Sequence, residues 1–132
     1  MLGLLVDIGG TMLFSTVMAF VAGIALAAGG VPPEQAARLI ETAPGFQLLG
    51  LAGGLSCTAL GGYVAARFAN HSEYANAFAV GVASLVFGET VIIAFGHDLP
   101  LWLRLLGDLL VVPAALLGGH LRALQTRAVP AA

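Results

Sequence analysis

The chain is predicted to be an all-α integral membrane protein, a single bundle of four transmembrane helices over residues 1–132 with a short amphipathic helix in its first outer loop. Composition is the first ground: 59% of residues are hydrophobic and 9% charged, with a mean hydropathy of +0.98. Soluble domains carry about 25% charged residues, so a water-soluble fold is excluded. The second ground is the presence of four long apolar runs, since a helix needs about 20 apolar residues to cross a hydrocarbon core of about 30 Å. The third is the glycine content, 18 of 132 residues, with those of the second run placed at helical spacing.

The first run extends from Leu2 to Ala28. Ala25-Leu26-Ala27 resembles a signal-cleavage site, but no Lys or Arg precedes the run, and Asp7 interrupts it. It is also longer than the 7–15 residues typical of a signal core, so a retained helix is expected. Along it, Ser15, Ala19, Gly23 and Ala27 form a small-residue ridge.

Gly29 to Pro44 form the one sizeable loop, punctuated by Gly29-Gly30, Pro32-Pro33 and Pro44-Gly45. Within it Ala36, Leu39, Ile40 and Ala43 recur at i, i+3, i+4 and i+7, among Glu34, Gln35, Arg38 and Glu41. That spacing gives an amphipathic helix suited to a membrane surface, as a lid or as a gate.

The second span runs from Phe46 to Ala69 and carries two small-residue ridges. One holds Gly50, Gly54, Thr58, Gly62 and Ala66; the other holds Gly53, Cys57, Gly61 and Ala65. Small faces let helix backbones approach closely, which drives association where burial from water cannot. The first and second spans are expected to make the tightest contact through Ala19, Gly23, Gly50, Gly54 and Gly62, or the second span pairs with its own copy in a homo-oligomer.

The third span, Tyr74 to Phe95, and the fourth, Leu99 to Leu121, form a hairpin through Gly96-His97-Asp98. Ionisable groups inside a span are costly and are functional candidates by default. At 1.5 Å per residue, Asp108 lies about 14 Å and Arg104 about 8 Å into the fourth span, and Glu89 about 10 Å from the outer end of the third. Glu89 and Arg104 are therefore expected to pair. Arg104 and Asp108 also share a face at i, i+4. Two acids and one base leave a surplus negative charge, so one acid is expected to hold a proton. Such a cluster serves either as structural glue or as a proton or cation pathway. Pro113 frees the carbonyl of Leu109 beside Asp108.

Asp7 is a secondary candidate, expected about a turn and a half inside the cytoplasmic end, where Arg67, His120 or Arg122 would answer it as a register-setting ion pair. Asp7-Ile8-Gly9-Gly10-Thr11 is similar to the first phosphate loop of actin-like sugar kinases, but here it lies within a membrane helix in a chain too short for that fold. His97 with Asp98 is too small a set for a metal, and His71 sits in a polar turn with Asn70, Ser72 and Glu73. The single cysteine, Cys57, makes no intramolecular disulfide.

Catalytic motifs, cofactor signatures and basic patches for nucleic acid are all missing from the sequence. No enzyme activity is expected, and the expected partners are the bilayer and either further copies of the chain or a larger membrane complex.

Leu60-Gly61-Gly62-Tyr63 and Leu117-Gly118-Gly119-His120 make a four-residue echo between the second and fourth spans. Gly61-Gly62-Tyr63-Val64-Ala65-Ala66-Arg67 resembles the glycine-rich helix end of uncharacterised small four-helix bacterial membrane proteins. The resemblance implies a bacterial inner-membrane location and no particular activity. The small fluoride channels have similar size, but their arginine-tyrosine signature is not present here.

Arg67, Arg122 and Arg127 flank the side that holds both termini, whereas Arg38 flanks the other, so the positive-inside rule places both termini in the cytoplasm. A carboxy-terminal green fluorescent protein fusion is then expected to fluoresce in bacterial cells, and an alkaline phosphatase fusion at the same point to be inactive; the reverse pattern would invert the topology.

Overall fold

The computed structural model describes residues 1–69, 72–95 and 99–128. Among them every regular element is a helix: α1 (Leu2–Ala28), α2 (Pro33–Thr42), α3 (Pro44–Phe68), α4 (Glu73–Phe95) and α5 (Leu101–Ala128). Four of these, α1, α3, α4 and α5, are long and apolar enough to span a membrane. The chain therefore has the make-up of a multi-pass membrane protein.

Local chemistry sets the boundaries. Pro33 and Pro44 open α2 and α3, where the missing amide hydrogen costs nothing because the first amides of a helix have no internal partner. After α1, Gly30 takes φ +78, a region open to glycine, and the Val31 amide donates back to the Leu26 carbonyl at 3.0 Å. At its far end α5 continues past Leu121 to Ala128, because the apolar run stops there but no helix breaker does. Helix α5 also stays continuous through Pro113.

The short helix α2 packs against α1 and α3 at one end of the bundle. Its expected apolar stripe is only partly covered: Ala36 is buried and Ile40 and Ala43 are half-buried, but Leu39 is exposed. Gln47 Nε2 donates to the Glu41 carbonyl at 2.9 Å and ties the end of α2 to the start of α3.

Helix α3 is the hub, touching each of the other three spans, with α5 as its most extensive neighbour and α1 next. Helices α4 and α5 form the expected antiparallel hairpin, α1 and α4 meet only briefly, and α1 and α5 do not meet. Glycine makes these approaches possible. A Cβ on Gly62 would overlap the Ala115 backbone of α5, and one on Gly118 would overlap the Ala59 carbonyl of α3. On the α1 side, the Phe14 ring occupies the space a Gly53 side chain would need, and Gly3 and Gly61 bring the two backbones together. A Cβ on Gly10 would stand 3.2 Å from the Cys57 sulfur.

The two ridges of α3 are thus both engaged within one chain. The ridge through Gly53, Cys57, Gly61 and Ala65 faces α1, and Gly62 of the other faces α5. Four of the contacts expected between α1 and α3 are not made there, and Gly62 meets Ala115 of α5 instead of α1. Ala19 is exposed, and nothing lies within 4 Å of a Cβ built at Gly23 or Gly50. Gly54 meets only the Thr11 methyl, at 3.9 Å. Helix α1 uses Gly3, Asp7, Gly10 and Phe14 instead, a stripe that brings glycine and an aromatic ring against matching gaps in α3, and its Ser15, Ala19, Gly23 and Ala27 ridge turns away.

Replacing Gly118 by Ala is expected to lower the thermal stability of the detergent-solubilised protein by about 1–3 kcal/mol, the usual cost of overpacking. Gly23→Ala is expected to be neutral or slightly stabilising, because open space receives the methyl and a helical glycine is replaced. Equal loss in both variants, read by fluorescence-detected size exclusion after heating, would contradict this packing.

Candidate functional site

Between the four spans lies a partly open cavity of about 430 Å³. Its wall is mostly apolar, with Asp7, Thr58 and Ser84 along one part and Glu89 and Asp108 along another. Among neighbouring spans α1 and α4 are the least closely joined. Gly50, Gly54, Gly88 and Gly107 contribute to the wall. Nothing lies within 4 Å of a Cβ built at Gly50 or Gly88, so these two positions leave space that a larger side chain would fill.

The pole formed by α4 and α5 carries an ion pair. Arg104 Nε donates to Glu89 Oε1 at 3.0 Å, and a second guanidinium nitrogen contacts Glu89 Oε2. Two-point pairing of this kind fixes orientation as well as charge. It follows from the hairpin geometry that sets Glu89 and Arg104 at similar depth. Asp108, one turn beyond Arg104, interacts electrostatically with both, so all three residues come together as one group. Arg104 has committed two nitrogens to Glu89, and Asp108 remains as the less engaged acid on the cavity wall.

The other pole is centred on Asp7, which is only 3% exposed. Thr58 Oγ1 of α3 donates to its Oδ1 at 2.8 Å, and the Ser84 hydroxyl of α4 donates to its Oδ2. Thr58 Oγ1 also lies 3.1 Å from the Gly54 carbonyl, but its single proton favours the closer carboxylate.

Three helices thus meet at one carboxyl group. The expected partners of Asp7 are not the ones found. Its position is deeper than a count from the start of α1 implies, because Gly3 packs level with Gly61 and Ala65, which sets Asp7 against residues near the middle of α3 and α4. Arg67 is exposed, His120 pairs through Nδ1 with the Tyr74 hydroxyl at 2.7 Å, and the buried Nε of Arg122 has no hydrogen-bond partner. Among the described residues Glu89–Arg104 is the one ion pair.

Ser84 had no distinguishing mark in the sequence beyond being a hydroxyl in an apolar span, and Thr58 read as one small member of a ridge. Their link to Asp7 depends on helix register, which spacing within one helix does not reveal. His71, His97 and Asp98 lie outside the described residues. Among the described residues no group of three His, Cys, Asp or Glu side chains is placed to hold a metal ion.

No protein-family model matches the chain, and neither a curated protein nor a solved structure is detectably similar to it.

Removing Arg104 alone leaves Glu89 as an unanswered charge within the bundle, whereas removing both charges leaves none. Arg104→Gln is expected to lower the melting temperature in detergent more than the double variant Glu89→Gln/Arg104→Gln does. A double variant less stable than either single one would show that the pair is not coupled in this way.

Proposed function

We propose that this chain is a small multi-pass protein of the bacterial inner membrane that passes a solute through its intramembrane cavity, coupled to protons or cations at the Glu89, Arg104 and Asp108 cluster, without catalytic chemistry of its own. The observation that carries this reading is the cavity. Its volume falls within the range of about 300–1,000 Å³ common to small-molecule sites, and such sites pair apolar walls with a few convergent polar groups.

A purely structural ion pair needs no adjoining space, yet both Glu89 and Asp108 border this one. Asp108 is the group suited to exchange a proton or cation, since Arg104 is bound to Glu89. The arginine distribution and the resemblance around Gly61 to Arg67 support the inner membrane and cytoplasmic termini.

A second reading is favoured by one observation. The Ser15, Ala19, Gly23 and Ala27 ridge of α1 turns away from the bundle, with Ser15, Ala19 and Ala27 exposed. Membrane helices associate through such ridges, which suits a homo-oligomer or an accessory subunit of a larger complex.

Transport is tested in proteoliposomes holding a pH-sensitive dye, challenged with a panel of alkali and small organic cations. The expected result is solute-dependent proton movement in the native protein, lost in Asp108→Asn at equal incorporation. A panel in which no solute moves protons faster than in empty liposomes would remove the transport reading and leave the accessory-subunit one.

A further inference from the structure

We infer that the solute accepted by this cavity is a primary amine with an apolar body, its ammonium group held by Asp7, Thr58 and Ser84. The inference rests on the reading of the cavity as a solute chamber and names the class of solute.

Three observations converge on it. The first is a buried acid without a basic partner: Asp7 is 3% exposed and makes no ion pair among the described residues. Taking a carboxylate out of water is costly unless it is paired, and two hydroxyl donors orient its oxygens without supplying positive charge. A cationic ligand would supply it.

The second is the donor and acceptor count. Thr58 and Ser84 give their protons to Asp7, which leaves lone pairs on both hydroxyl oxygens and further lone pairs on the carboxylate. An ammonium group brings three donors and no acceptor. Three oxygen-bearing side chains from α1, α3 and α4 thus match its hydrogens.

The third is the size and character of the remaining space. A cavity of about 430 Å³ with a mostly apolar wall is far larger than a bare metal ion requires. Leu51, Leu55 and Ile92 line it beside the polar groups, so an apolar body fills what a small inorganic ion would leave empty.

The test uses the full chain in lipid nanodiscs with 2-phenylethylamine as the probe and 2-phenylethanol as its neutral counterpart. Saturable binding is measured by thermal stabilisation and by equilibrium dialysis, corrected for empty discs. The amine is expected to bind and the alcohol to bind about tenfold or more weakly, because a charge-assisted hydrogen bond is lost. Asp7→Asn is expected to erase the preference for the amine, and Ser84→Ala to weaken amine binding severalfold while the carboxylate remains. Equal binding of amine and alcohol, absence of saturable amine binding, or an undiminished amine preference in Asp7→Asn would each overturn the inference. Should Asp7→Asn fail to fold, the amine-to-alcohol comparison in the native chain together with Ser84→Ala decides the matter. Amine binding without flux would retire the transport reading and keep the amine site; solute flux without amine binding would do the reverse.

Discussion

Close backbone approach along α3 is the constraint on which the rest of this structure depends. In a membrane, neighbouring lipid tails are as apolar as any side chain, so helices gain little by burying leucine. Van der Waals contact must then come from backbones that can reach one another. Gly62 against Ala115, Gly118 against Ala59, and Gly61 against Gly3 provide such contacts on two sides of one helix. With α3 drawn tightly to α1 and to α5, those two outer helices are kept apart, and α4 meets α5 through Gly81 against Val112 and α1 through Ser84 at Asp7. The cavity is a result of that arrangement.

The same tight register sets the chemistry. Seating Gly3 beside Gly61 and Ala65 carries Asp7 to the level of Thr58, and α4 presents Ser84 from the other side. A different offset between α1 and α3 by a single turn would bring Asp7 to other side chains. At the opposite pole the short α4–α5 connection sets Glu89 beside Arg104, with Asp108 following at the next turn. One pole therefore depends on contacts between distant segments, and the other on a local hairpin. An apolar wall lies between the two poles, and charges in a low-dielectric setting interact far more strongly than charges in water.

The extent to which the site was legible follows this division. Glu89, Arg104 and Asp108 stood out as charges in apolar runs, and the hairpin allowed their depths to be compared by a simple rise per residue. The small ridges of α3 were also visible, because side chains at i and i+4 share a helix face whatever the neighbour is. Which neighbour each ridge meets was not visible. The ridge of α1 that resembled them most, through Ala19 and Gly23, turned out to face away, and the contact uses a stripe in which Phe14 fills the gap at Gly53. Asp7 is conspicuous as an acid in an apolar run, but position along α1 alone points to bases near the helix ends and not to the hydroxyls of Thr58 and Ser84.

Hydropathy and helical periodicity, properties of one segment at a time, were enough to establish the four spans, the short helix between the first two and the charged group of the hairpin. They sufficed because a backbone in lipid must satisfy its hydrogen bonds within its own helix. The offset between α1 and α3, the meeting of Asp7 with Thr58 and Ser84, and the cavity were decided only by tertiary packing. Those features depend on the relative translation and rotation of helices far apart in the chain, and complementary shape at the contacts, which no single segment encodes, selects among the possible registers.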